Sequence, residues 1–157
     1  MQPTEKTDSR LRIEDQLCFA LYSASRAITK EYRTLLAPMG ITYPQYLALM
    51  ALWQQDGLMV QQIATQLQVD QATVTPLVKR LEKLGIVDRI RSKDDERRVE
   101  VFLTAKGRGL YHDAVQVPGA IGCAIGVDPT QAQDLIAQMN AIKSFIEGRS
   151  APTDIAD

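Results

Sequence analysis

Two residue types that carry much of protein chemistry are scarce in this chain. Its 157 residues include two cysteines and one histidine. His112 has no cluster of potential metal ligands around it in the sequence, and we expect it to lie on a helix face. No metal-ligand spacing, phosphate-binding loop or nucleophile-plus-base pair is present. The sequence therefore indicates neither a metal site nor a cofactor.

Long apolar runs are also missing. No run is long enough to cross a bilayer, and the polar N-terminus, MQPTEKTDSRLRIEDQ, lacks the apolar core of a signal peptide. We therefore expect a cytoplasmic protein with no membrane partner. In a reducing compartment, Cys18 and Cys123 should be thiols and not a structural disulfide.

The net charge is only −1, but the charge is unevenly distributed. Residues 71–108 hold ten Lys and Arg against six Asp and Glu, a net charge of +4, which leaves −5 for the remainder. A local basic excess in an otherwise acidic chain is typical of proteins that bind nucleic acid through one segment.

The basic segment has the outline of a winged helix. Residues 71–84 predict a helix that begins after Asp70 as N-cap and ends at Gly85. Its inward stripe consists of apolar residues three or four positions apart: Val74, Leu77, Val78, Leu81 and Leu84. Two β-branched runs, 86–90 and 99–103, then flank a charged turn. A shorter predicted helix at 61–66 precedes it, so the pair forms a helix-turn-helix.

Further helices surround this segment. We expect them at 13–36, at 44–53 after Thr42 as N-cap, at 105–116 up to an interruption at Pro118 and Gly119, and at 129–147. Residues 58–60 should pair briefly with the wing. The predicted fold is mainly α with a small β wing. One domain covers 13–147, with the winged helix-turn-helix at about 44–104 and flexible ends at 1–12 and 148–157.

The outer helices, 13–37 and 105–147, carry apolar residues on more than one stripe of their surface. Either they fold back on the same core, or they form a dimer interface. We favour the dimer, because two-fold symmetry is what most helix-turn-helix proteins use to bind DNA.

Polar residues on the second helix of the pair are candidates for base and phosphate contacts. They are Gln71, Thr73, Thr75, Pro76, Lys79 and Arg80. At the wing tip, Asp95 and Arg97 can form an ion pair that fixes a guanidinium for the minor groove. The alternatives are an ordinary solvated helix face and an ordinary charged hairpin.

At these residues the sequence resembles the MarR family of winged-helix repressors. The motifs are QIA at 62–64, VTPLVKRLEKLG at 74–85, DDERR at 94–98, LT at 103–104 and Gly107. The resemblance implies a homodimer that binds pseudo-palindromic double-stranded operator DNA. It also implies that Asp95 and Arg97 are the wing pair that places an arginine in the minor groove.

Two N-terminal motifs, LCFALYS at 17–23 and GITYPQYL at 40–47, are similar to the organic hydroperoxide resistance regulator (OhrR) branch. This resemblance implies that Cys18 is a peroxide sensor whose thiolate is held by hydroxyls of Tyr22, Tyr32 and Tyr43. Cys123 stands where the two-cysteine type has a resolving thiol, which forms an intersubunit disulfide.

Physical chemistry is consistent with this assignment of Cys18. It falls in the first turns of its predicted helix, where the helix dipole favours a thiolate, and Phe19 and Ile41 favour an organic hydroperoxide over hydrogen peroxide. The predicted function is transcriptional repression released by organic hydroperoxide. The peroxide is consumed stoichiometrically, so we expect no enzyme. Two alternatives remain: a repressor gated by a phenolic or aromatic ligand with Cys18 inert, and a thiol peroxidase that uses both cysteines.

Overall fold

A computed structural model describes residues 11–91 and 98–149. Within these residues the chain is mostly helical and carries one three-stranded antiparallel sheet, which confirms the predicted fold class. A 3-10 turn at Ile13–Asp15 precedes the first helix, and another at Ala37–Met39 follows it. The elements are α1 (Leu17–Leu36), α2 (Tyr43–Gln54), β1 (Leu58–Met59), α3 (Val60–Leu67), α4 (Gln71–Lys83), β2 (Val87–Arg91), β3 (Val99–Leu103), α5 (Ala105–Gly109), α6 (Tyr111–Ala114), α7 (Val117–Ile125) and α8 (Pro129–Arg149).

The sheet is a wing hairpin with a short third strand. Its order is β1-β3-β2, with Leu58 opposite Val101 and Val87 opposite Leu103. The predicted pairing of 58–60 with the wing is therefore confirmed, although Val60 already begins α3. The charged tip, with Asp95 and Arg97, lies outside the described residues.

The helix predicted at 71–84 is present as α4. Gly85 adopts a left-handed conformation, φ 68°, just after it, as expected of a C-terminal stop. Asp70 occupies the N-cap position, but its side chain makes no capping hydrogen bond.

The inward stripe of α4 is narrower than predicted. Val74, Val78 and Leu81 are fully buried, whereas Leu77 is half-buried and Leu84 is exposed. At 3.6 residues per turn, Leu77 and Leu84 point roughly 60–80° away from Val74, at the edge of the stripe.

The N-terminal half differs from the prediction mainly where its first helix begins. The helix starts at Leu17, because Gln16 is extended and separates it from the 3-10 turn. The second helix, α2, is buried as expected, and the Gln45 side chain accepts a hydrogen bond from the Thr42 N–H at 2.8 Å.

The predicted helix at 105–116 is divided into α5 and α6, with Leu110 between them. The prediction that Pro118 and Gly119 interrupt a helix was wrong, because both lie in the first turn of α7. A proline fits there, since the N–H that it lacks would have no acceptor in a first turn.

The chain forms two compact units, one up to Val117 and one from Pro118 onward. The first holds the main core, whose largest fully buried side chains are Leu36, Leu49, Leu52, Leu58, Ile63, Val74, Val78, Leu81, Ile86, Val87 and Val101. The second unit includes α8, on which none of the described residues is buried. Across the described ranges, no single helix is long and apolar enough to cross a membrane, although the segments Leu17–Met39 and Tyr43–Gln54 meet that criterion together across a 66° bend.

Candidate functional site

Cys18 is the second residue of α1, and its thiol is exposed. Tyr22 follows four residues later on the same helix face. The Tyr22 hydroxyl accepts a hydrogen bond from Arg26 at 2.8 Å, and the same guanidinium lies 5.5 Å from the Tyr22 ring centroid. Among the described residues of one chain, no group hydrogen-bonds to the Cys18 thiol. The Cys18 face of α1 is therefore accessible in a single subunit.

The other two predicted thiolate partners lie together in the first unit. The Tyr32 and Tyr43 rings are 4.2 Å apart between centroids. Burial raises the pKa of both phenols above their ordinary value, and the neighbouring Tyr43 and Tyr46 raise the pKa of Tyr32 further. Both phenols are consequently protonated at neutral pH, and each can donate a hydrogen bond to an anion.

A third tyrosine, which the sequence analysis missed, completes this cluster. The Tyr46 ring centroid is 6.1 Å from that of Tyr32, and its hydroxyl donates to the Ala114 carbonyl at 3.4 Å. Tyr43 and Tyr46 are three residues apart on α2, so helical spacing could have pointed to Tyr46. In the part of the chain that is described, the hydroxyls of Tyr32 and Tyr43 make no hydrogen bond. These two phenols are the donors that remain available.

Cys18 and Tyr32 stand on the same continuous helix, fourteen residues apart. At about 1.5 Å of rise per residue, their positions differ by roughly 21 Å along the helix axis. A hydrogen bond needs a donor–acceptor distance near 3 Å, or somewhat more to sulfur. The Tyr32 hydroxyl therefore cannot reach the thiol of its own chain.

Cys123 lies on α7 in the second unit and is also exposed. It lines an open cleft of about 820 Å³ whose walls are mostly apolar and include Pro118, Gly122 and Val127. Nothing in the second unit alone brings another thiol to Cys123. Its resolving role stays a prediction.

Six of the nucleic-acid candidates lie on α4, and five of these six are exposed. Gln71, Thr73, Pro76, Lys79 and Arg80 are exposed, and Thr75 is half-buried. The Thr75 hydroxyl donates to the Gln71 carbonyl at 3.0 Å, so its proton is committed to the backbone and its oxygen is left as an acceptor.

An ion pair that the sequence analysis missed ties the wing to α4. Arg89 Nε of β2 donates to Glu82 Oε2 of α4 at 2.8 Å, and both side chains are partly buried. Beside it, Gln71, Thr75 and Arg89 line a cleft of about 200 Å³. The ion pair fixes β2 against the helix that carries the candidate base contacts.

Within residues 11–91 and 98–149, no group of three or more His, Cys, Asp or Glu could hold a metal ion.

Comparison with known proteins gives the fold a family. The MarR family profile matches residues 41–99, which run from two residues before α2 to the first residue of β3. The organic hydroperoxide resistance transcriptional regulator of Bacillus subtilis (strain 168) is 41% identical over 143 residues, which cover 91% of this chain and 95% of that protein. The HTH-type transcriptional regulator TtmR of Methylorubrum extorquens (strain PA1) is 39% identical over 155 residues, 99% of this chain and 79% of that protein.

Solved structures agree with this assignment. Reduced AbfR bound to DNA superimposes with a TM-score of 0.77 at 29% identity, covering 88% of this chain and 95% of AbfR. AbfR with a disulfide formed superimposes with a TM-score of 0.60 at 30% identity, covering 88% of this chain and 92% of AbfR. One fold is thus known in both a reduced, DNA-bound form and a disulfide form.

Proposed function

The chain belongs to the MarR family of transcriptional regulators, and we propose that it is a homodimeric, operator-binding repressor that senses organic hydroperoxides through Cys18. The named function of the Bacillus subtilis relative supports the effector. The two AbfR structures support a redox-controlled DNA interaction. A cytoplasmic location follows from this function.

DNA binding is the output of the proposed switch. The exposed face of α4 enters a major groove, where Gln71 and Thr73 reach base edges and Lys79 and Arg80 reach phosphates or guanine. Asp95 orients Arg97 for the adjoining minor groove. A dimer carries two copies of α4, so the operator is pseudo-palindromic, with half-sites about 10 base pairs or a multiple apart.

Dimerisation follows from apolar surface that one chain leaves uncovered. Leu17 on α1 is 60% exposed, and Ile136, Phe145 and Ile146 on α8 are between 58% and 67% exposed. Side chains of this kind are normally removed from water at an interface. We assign dimerisation to residues 13–37 and 105–147, within a single domain over 13–147.

The 21 Å of helix between Cys18 and Tyr32 is the observation that carries the sensing proposal. Among the described residues, the hydroxyls of Tyr32 and Tyr43 make no hydrogen bond, and the exposed Cys18 thiol lies on the same helix as Tyr32, beyond the reach of the Tyr32 hydroxyl. We propose that dimerisation removes this separation by bringing each Cys18 toward Tyr32 and Tyr43 of the partner subunit. The sensor is then complete only in the dimer, with Tyr22 contributed by the same chain.

The redox chemistry needs two thiols and one hydroperoxide. The Cys18 thiolate attacks the hydroxyl oxygen of the hydroperoxide, the O–O bond breaks, and the alkoxide leaves and takes up a proton. The product is a Cys18 sulfenic acid and an alcohol. The Cys123 thiolate then attacks the sulfenic sulfur, forming the disulfide, and the expelled hydroxide becomes water. The two thiols supply the two electrons that reduce the hydroperoxide.

Loss of the thiolate removes the acceptor that holds Tyr32 and Tyr43 of the partner subunit. The intersubunit bond to Cys123 then shifts the interface helices and changes the separation of the two α4 helices. A difference of about 3 kcal/mol in DNA affinity between the two states, roughly 150-fold, is enough for derepression.

The experiment combines operator binding with electrophoresis. Cumene hydroperoxide should release the reduced protein from its operator and produce a covalent dimer on a non-reducing gel, and that dimer should be absent in Cys123→Ser. A wholly monomeric oxidised band would contradict the intersubunit bond. A ligand-gated repressor would respond to a phenol and ignore the peroxide, and a thiol peroxidase would turn over peroxide continuously with a thiol reductant.

A further inference from the structure

Trp53 occupies a junction between the tyrosine cluster and the winged helix. It lies near the end of α2, where its ring is 6.2 Å from the Tyr46 ring and 5.7 Å from the Tyr111 ring, edge-on to both. Its indole Nε1–H donates to the Gly107 carbonyl of α5 at 3.0 Å. Trp53 therefore contacts aromatic rings on two sides and the backbone of α5 through its one polar atom.

On one side, ring contacts continue to the proposed sensor. Trp53 meets Tyr46, Tyr46 meets Tyr32 at 6.1 Å, and Tyr32 meets Tyr43 at 4.2 Å. Aromatic rings are rigid and close-packed, so displacement of one ring is passed to its neighbours. A change in the hydrogen bonding of the Tyr32 and Tyr43 hydroxyls is therefore transmitted to Trp53 through ring contacts alone.

On the other side, α5 and the residue that precedes it lie against Gly85 and Ile86, the residues that follow α4. A Cβ built at Gly107 would overlap the carbonyl oxygen of Ile86, so no side chain separates the two backbones. The Thr104 hydroxyl lies 2.7 Å from the Gly85 carbonyl oxygen and 3.0 Å from that of Ile86, so its single proton is shared between these two acceptors.

The backbone completes the connection to α4. The Ile86 N–H donates to the Leu81 carbonyl at 3.0 Å, and Leu81 is a fully buried residue of α4. A displacement of α5 is therefore transmitted to the C-terminal turn of the helix that carries the candidate DNA contacts.

We propose that Trp53 is a positioning residue that couples the tyrosine cluster to α4. This inference rests on the proposed function, since it requires that oxidation of Cys18 changes the hydrogen bonding of Tyr32 and Tyr43. When Tyr32 and Tyr43 lose their hydrogen bonds, the tyrosine rings shift and Trp53 moves with Tyr46. The hydrogen bond from Trp53 to the Gly107 carbonyl then transmits this displacement to α5, and through α5 to α4. Trp53 touches neither the hydroperoxide nor the DNA.

Fluorescence of the native protein gives the first test. The chain has one tryptophan, so emission reports Trp53 alone. Organic hydroperoxide should change the emission of the full-length dimer at the same rate as operator release, and Cys18→Ser should show no change. Operator release without a change in emission would overturn the inference while leaving the proposed function intact.

A variant gives the second test. Trp53→Phe keeps an aromatic ring but removes the donor to Gly107. The ratio of operator dissociation constants, oxidised over reduced, should fall about 5-fold, while the rate of Cys18 oxidation is unchanged. A merely structural role would lower the melting temperature, or both affinities together, without changing that ratio.

The matched control is Tyr111→Phe, which keeps the ring on the other side of Trp53 and removes a hydroxyl with no hydrogen bond among the described residues. It should retain the wild-type ratio. An unchanged ratio in Trp53→Phe would overturn the coupling role. If the wild-type protein itself keeps its operator after hydroperoxide treatment, the proposed function fails, and the inference fails with it.

Discussion

The rings of Tyr32 and Tyr43 lie 4.2 Å apart, and no hydrogen bond within the described part of the chain uses either hydroxyl. Tyr32 belongs to α1 and Tyr43 to α2, so this ring contact joins the two helices. Tyr32 is also roughly 21 Å along α1 from Cys18 of its own chain, so the proposed sensor requires Cys18 of a second subunit.

Tyr43→Phe should slow oxidation of Cys18. The variant keeps the ring contact with Tyr32 and loses one donor to the thiolate, which is worth about 1.4 kcal/mol, or roughly a tenfold fall in rate. The measurement is the loss of titratable thiol with time at fixed cumene hydroperoxide. Tyr111→Phe should oxidise at the wild-type rate. Equal rates for Tyr43→Phe and wild type would remove Tyr43 from the sensor.

Stability should decline at high pH because of the same cluster. Burial holds the folded-state pKa values of Tyr32, Tyr43 and Tyr46 above 10.0. Between pH 10 and those values, the unfolded chain has released phenolic protons that the folded chain retains, so unfolding becomes more favourable as pH rises. Melting temperatures between pH 8 and 11 should fall above pH 10, and Tyr32→Phe should fall less steeply. Parallel curves for the two proteins would contradict the assignment.

Two glycines of α5, Gly107 and Gly109, give a matched pair of variants that tests the contact between α5 and Ile86. A Cβ at Gly107 meets the Ile86 carbonyl oxygen, whereas a Cβ at Gly109 meets nothing within 4 Å. Gly107→Ala should lower the free energy of unfolding by about 1–3 kcal/mol and weaken operator binding. Gly109→Ala should be neutral or slightly stabilising, since alanine is the better helix former. Chemical denaturation measures the free energy of unfolding of both variants. Equal effects would mean that α5 does not pack against Ile86.

Local signals explain why the winged helix was predictable from the sequence. The spacing of Val74, Val78 and Leu81 and the turn at Gly85 depend only on near neighbours, and the structure has α4 and its stop where they place them. The fold class was confirmed for the same reason. Errors arose where tertiary context decides, such as the helix break placed at Pro118, which fits the first turn of α7.

Contacts distant in sequence were the part that could not be predicted. The hydrogen bond from Trp53 to Gly107 joins residues 54 positions apart. The Arg89–Glu82 ion pair depends on how the wing packs against α4. Neither has a spacing that periodicity can detect. Tyr46 is intermediate, because its position on α2 follows from helical spacing but its contact with Tyr32 depends on how α1 and α2 cross.

Lys79→Ala should weaken operator binding in a salt-dependent way. An exposed lysine of α4 that contacts a phosphate contributes about one unit to the slope of log affinity against log salt concentration. The variant should therefore lose about one unit of slope and bind all operator sequences more weakly. Lys30→Ala on α1 changes the net charge equally and serves as the control. The same loss of slope in both variants would mean that Lys79 acts only through net charge.

Operator binding by Cys18→Ser, before and after addition of cumene hydroperoxide, tests the central claim most directly. Serine preserves the size of the side chain and cannot form a sulfenic acid or a disulfide. The variant should bind the operator as tightly as the reduced wild-type protein and remain bound when the hydroperoxide is added, while the wild type dissociates. Release of Cys18→Ser by the hydroperoxide, to the same extent as the wild type, would contradict Cys18 as the sensor.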